Sequence, residues 1–151
     1  MKPVVQLEPT GCGIASAAAL AGLSYGEAKR IAGSLGIRAE DETLWSSTSH
    51  VRKLLRRLGI RARAGETPFR SWRALPDLAL LSVKWHLERG RPYWHWVVFV
   101  RDSEGAYVLD PKKALRTHRR TDFGRMRPKW FIRVVARAAR LRKSSPVAPT
   151  A

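Results

Sequence analysis

An α+β domain, with helices packed on an antiparallel sheet, is the fold class this chain of 151 residues predicts. Helix-period apolar patterns fill the first third, and runs rich in β-branched and aromatic residues fill the remainder. No internal repeat and no second core interrupt that order. The length and a 44% hydrophobic content suit one domain with a real core. The domain is expected over residues 1–140, and 141–151 has the basic, Ser- and Pro-containing composition of a mobile tail.

The elements follow in chain order. Gly11-Cys12-Gly13 leads into Ile14 to Leu23, a run of Ala, Ile and Leu that predicts a short helix apolar on nearly every side, hence central and buried. Ser24-Tyr25-Gly26-Glu27 has the spacing of a capping box, which starts a second helix running to about Leu35 and stopped by Gly36. Val51, Leu54, Leu55 and Leu58 fall at i, i+3, i+4 and i+7 after the capping candidates Ser47, Thr48 and Ser49, and Gly59 follows. They predict a third, amphipathic helix, whose outer Arg52, Lys53, Arg56 and Arg57 read as a solvated stripe. Strands are then expected at Ile60 to Ala64, Leu78 to Trp85, Tyr93 to Val100, Ala106 to Asp110 and Trp130 to Val135. Asp102 to Gly105 forms the loop of a hairpin, and Pro111 ends its returning strand.

A net charge of +17, carried by 21 Arg and 8 Lys, predicts attraction to polyanions that weakens with salt. Nucleic acid is therefore a partner class to weigh, yet no zinc-finger spacing, RNA-recognition segment or heptad zipper accompanies the charge. No apolar run reaches the roughly 18 to 20 residues of a membrane span, and no secretory leader follows Met1, so the expected location is the cytoplasm. One cysteine permits neither an internal disulfide nor a multi-cysteine zinc site. The scattered His and carboxylates match no metal-ligand spacing, and no cofactor is expected.

Cys12 sits where a glycine-flanked loop enters a helix, the placement that favours a nucleophilic thiolate; the plain alternative is a small buried hydrophobe. A thiol nucleophile needs a base and a group to orient that base. His50, His86 and His118 read as surface residues, whereas His95 lies within the strand Trp94-His95-Trp96-Val97-Val98-Phe99-Val100. If Arg101 pairs with Ala106, the register sets His95 opposite Lys112 with Asp110 diagonal to it, on a shared face. A one-residue bulge between those two strands would destroy the pairing. For an oxyanion, the Cys12 backbone N–H is one donor and the Gln6 side-chain amide is the candidate second.

Gln6-x5-Cys12-Gly13-Ile14-Ala15, then His95-Trp96-Val97-Val98, then Val108-Leu109-Asp110-Pro111, together resemble the papain-like bacteriocin-processing cysteine peptidases, which cleave double-glycine leaders. The resemblance spans roughly 4 to 135 and includes a Leu54 to Ile60 helix end. It implies a papain-like fold, Gln6 completing the oxyanion hole, Cys12 as nucleophile, His95 as base and Asp110 as its orienting partner. The implied substrate is a peptide cut after Gly-Gly; separately, the basic surface is expected to recruit an acidic, helical leader segment. Gly11 stands where the family usually carries Asp, and Trp94 where Gly is common. With neither spans nor a phosphate loop of the exporter type, the chain looks like a free-standing member. Two rivals share these features: a non-enzymatic basic module binding nucleic acid or an acidic partner on a peptidase-like fold, and an acyl transferase of the transglutaminase type. Oligomeric state is not legible in the sequence.

Overall fold

The structure, a computed structural model, describes residues 1–135; the expected tail at 141–151 and the last residues of the expected domain lie outside them. Three helices come first: α1 (Cys12–Ala21), α2 (Tyr25–Ser34) and α3 (Ser49–Arg57), with a 3-10 turn at Glu42–Ser46 between the last two. Each starts and stops for local reasons. Ser24 accepts from the Glu27 N–H while Glu27 reaches back to the Ser24 N–H, so the expected capping box starts α2. Gly22 at φ 72° closes α1 in the left-handed conformation, and its N–H and the Leu23 N–H take up carbonyls of the last turn. The stripe on α3 is less idle than expected. Arg52 donates to the carbonyls of Arg63 and Gly65 and pairs with Glu66, and Lys53 donates to Leu35 O at the end of α2.

The strands are β1 (Arg61–Ala62), β2 (Thr67–Pro68), β3 (Leu78–Glu88), β4 (Arg91–Asp102), β5 (Gly105–Leu109), β6 (Arg119–Arg120) and β7 (Pro128–Val135). They form an antiparallel sheet in the order β1-β7-β3-β4-β5-β6, with β2 also on β7. This is the expected α+β class. The short strands β2 and β6 carry no apolar alternation, which is why the sequence does not announce them. The β4–β5 turn is tighter than expected, since Asp102 pairs with Gly105 and only Ser103 and Glu104 remain as the loop.

Where the sequence offers no sign of a second core, alternation along the strands builds one on each face of the sheet. Leu80, Trp96, Val98, Ile132 and Val134 face the helices and pack with Ile14, Leu20, Leu54 and Leu55. Leu81, Val97, Phe99, Val108 and Phe131 point the other way, under Trp72, Phe69 and Phe123 from the connecting loops. Small residues let α1 sit close to β4. A β-carbon at Gly13 would lie 2.7 Å from His50 Nε2 and 3.2 Å from Trp96 Cδ1, so a larger residue there would push the helix off the sheet.

Candidate active site

Cys12 is the first residue of α1, and its N–H belongs to the helical turn whose donors have no intrahelical acceptor. Its thiol is fully buried, and beyond the β4–β5 ladder the Trp96 N–H donates to Cys12 Sγ at 3.5 Å. His95, one residue earlier on β4, lies against the thiol and meets Asp110 just past the end of β5, with Nε2 and Oδ1 2.7 Å apart. Arg101 pairs with Ala106 and Val98 with Leu109, so the register anticipated from the hairpin brings the pair together.

Asp110 is 1% exposed and is held by three donors: His95, the Lys112 N–H at 3.0 Å and Arg120 Nη1 at 2.8 Å. Burial alone would raise its pKa; the hydrogen bond and charge of His95, the Lys112 N–H and Arg120 outweigh that and hold it down at about 2. His95 shows the complementary balance. Burial disfavours its charged form, but hydrogen bonds and charge from Asp110 and Cys12 overcome this and raise it to about 9. With Nε2 committed to Asp110, Nδ1 is the nitrogen left for the thiol.

Gln6 lies in the same cleft, but both hydrogens of its amide are spent within its own loop, on Glu8 O and Pro9 O at 3.0 Å each. Its Oε1 is buried without a partner. The Gln6 N–H donates to Pro111 O at 3.0 Å and so ties the loop before Cys12 to the chain just after Asp110. That loop is braced elsewhere too. The Tyr25 hydroxyl and the Lys29 ammonium each reach a different oxygen of Glu8 at 2.5 Å, and Trp45 Nε1 donates to Pro9 O. A β-carbon at position 11 would clash with the Tyr25 hydroxyl oxygen, which explains glycine before Cys12.

Of the other histidines, His86 is exposed near the β3–β4 turn, as expected. The surface reading of His50 and His118 is corrected. His50 is buried against Gly13, neither ring nitrogen has a partner, and burial pushes its pKa down to about 4. His118 is half-buried, its Nδ1 within 2.9 Å of Asp110 O and its carbonyl accepting from the Asp110 N–H. Arg120 is the site residue that sequence reasoning missed. It lies in a basic run, Arg119-Arg120, that gives no sign of which side chain turns inward.

Two recesses open beside His95. One, of about 360 Å³, runs between the Gln6–Pro9 loop and Lys84, Lys112 and Lys113; the other, of about 230 Å³, is walled by Trp45, Tyr93 and Trp94. Among the described residues, no group of three or more His, Cys, Asp or Glu is arranged to hold a metal ion. Among the same residues, no helix is long and apolar enough to cross a membrane. No family model matches the chain, and no curated protein matches it.

Proposed function

We propose that the chain is a papain-like cysteine peptidase of the bacteriocin-processing type, acting through Cys12, His95 and Asp110. The observation that carries the reading is a thiol at the head of a buried helix, set against an imidazole whose far nitrogen is fixed by a buried carboxylate. Cys12 Sγ attacks the scissile carbonyl carbon, and the C=O electron pair moves onto oxygen beside the Cys12 N–H. Collapse breaks the C–N bond as His95 Nδ1 gives its proton to the leaving nitrogen. Water, giving a proton back to His95, then attacks the thioester and releases the thiolate. Gln6 contributes to the oxyanion once the loop at 7–9 shifts and frees one of its amide hydrogens.

The full burial of the thiol supports small residues such as Gly on the acyl side of the cut, and the expected substrate is a leader peptide ending in Gly-Gly. The basic-module reading draws less support. Arg52, Lys53, Arg101 and Arg120 are committed to carbonyls and carboxylates of the chain itself.

Alkylation tests the reading, because one cysteine makes the signal unambiguous. Iodoacetamide at pH 7 is expected to modify Cys12 in the folded chain, and His95→Ala to slow that labelling about tenfold or more. The wild type alone should cleave a Gly-Gly peptide, with no transfer product when an amine is added. Labelling only upon unfolding would make Cys12 a core residue and end the proposal.

A further inference from the structure

The larger recess beside His95 carries a feature the reaction does not require. On β3, Lys84 and Trp85 stand opposite the single residue Trp94, between the pairs Val83–His95 and His86–Tyr93. This bulge holds Lys84 at φ 55°, the left-handed position where glycine is usual. The bulge turns Lys84 into the wall of the recess that Lys112 also lines. Lys112 is itself fixed, since its N–H is bound to Asp110 Oδ1.

The two ammonium groups face one another: among the described residues, neither Lys84 nor Lys112 has a carboxylate within ion-pair distance, and Asp110 attracts Lys84 only from beyond it. Partial burial, and then the charge of Lys112, depress the Lys84 pKa, as expected of like charges held together. Glu8 also borders the recess, but its two oxygens are taken by Tyr25 and Lys29. Asp110 is already saturated by His95, Lys112 N–H and Arg120. A strained backbone and two unneutralised cations beside a reacting centre call for an anion from outside.

We infer that Lys84 and Lys112 form a carboxylate-binding subsite for the leaving-group half of the substrate. This rests on the peptidase reading for its position relative to the cut. On that reading the acyl half held by Cys12 is assigned to the recess of Trp45, Tyr93 and Trp94, which Lys84 borders from its other side and where Glu88 disfavours a carboxylate. The leaving half then lies in the lysine recess. The carboxylate is either an acidic side chain shortly after the scissile bond or the terminal carboxylate of a short leaving fragment.

Binding separates this inference from the question of turnover. Peptides spanning Gly-Gly are titrated calorimetrically against Cys12→Ala protein, in versions with Glu or Gln after the cut, with Glu moved to before it, and with a short leaving fragment ending in a free carboxylate or an amide. Glu after the cut, or the free terminus, should bind about tenfold more tightly than its neutral counterpart. That preference should vanish in the Lys84→Gln, Lys112→Gln double variant and shrink as salt is raised. Whichever arm shows it identifies the source of the carboxylate. Equal binding of charged and neutral peptides, an equal loss for both in the double variant, or a preference for Glu before the cut would overturn the inference. A preference for the carboxylate that the double variant abolishes, together with a wild type that cleaves none of the peptides, supports the carboxylate site and sinks the peptidase reading instead.

Discussion

The charge of His95 is set by a contest between burial and its two partners, and the partners win. A histidine raised from 6.5 to about 9 contributes stability that is complete below the unfolded value and lost as pH rises through about 9. Asp110, lowered from 3.8 to about 2, contributes above its unfolded value and loses that contribution only as pH falls through about 2. Between these limits the imidazolium–carboxylate pair persists, so kcat/KM on a Gly-Gly peptide should hold its alkaline limb near pH 9. In Asp110→Asn the limb should move down by at least about one unit, because the hydrogen bond and charge that raise His95 are both weakened. An unmoved limb would mean that Asp110 does not set the proton affinity of His95. At this scale the sequence is legible only in part. His95 and Asp110 stand out because strand alternation and a turn fix their register, whereas Arg120 and His50 acquire their settings from contacts that no local pattern encodes.

Regularity of one ladder and irregularity of its neighbour decide what the strands can do. The β4–β5 pairing runs from Val98–Leu109 to Asp102–Gly105 without a shift, preserving the parity that His95 and Asp110 need. The bulge falls on the other side of β4, in β3, where it re-aims a lysine and leaves that parity intact. Holding a β-carbon at φ 55° costs about 1 kcal/mol, so Lys84→Gly should raise the melting temperature by about 3 °C. Lys84→Ala keeps the β-carbon and should leave it nearly unchanged. Both variants should lose the acidic-peptide preference equally. A Lys84→Gly protein that melts no higher than Lys84→Ala would show that the bulge stores no strain. The long strands and the capped helices are readable because periodicity and caps are local properties. The bulge is not, since a lysine in the left-handed region violates the glycine preference by which such positions are recognised.

Across the whole molecule, one buried group outside the reaction links stability to acid. His50 is packed neutral against Gly13 at the helix that carries Cys12, and burial depresses its pKa from 6.5 to about 4. Unfolding releases it to bind a proton, so its contribution is intact above the unfolded value and falls as pH drops toward about 4, a loss of up to about 3 kcal/mol. Thermal melts should therefore decline between pH 6.5 and 4, and His50→Leu should flatten that decline. Equal slopes in the two proteins would remove His50 as the cause. The fold class is legible at this scale because helix-period and strand-period segments are segregated along the chain. The commitment of Arg52, Lys53 and Arg101 to backbone carbonyls is not legible, because charge composition cannot reveal whether a given basic side chain faces water or another part of the chain.

The hydrogen bond from Gln6 N–H to Pro111 O joins the two ends of the candidate site across most of the domain's length. Cys12 opens the first helix and Asp110 follows the central hairpin, so the thiol and its partners meet only by closing a loop of most of the domain's length. During synthesis, a nascent chain that ends before Asp110 already has Cys12 and the braces of Tyr25, Lys29 and Trp45 on the loop before it, but neither the Pro111 bond nor the carboxylate that holds His95. On the peptidase proposal, the order of manufacture itself delays reactivity: the thiol gains its oriented base only when the domain is nearly finished, after the interval in which an early active thiol would be most harmful to its neighbours.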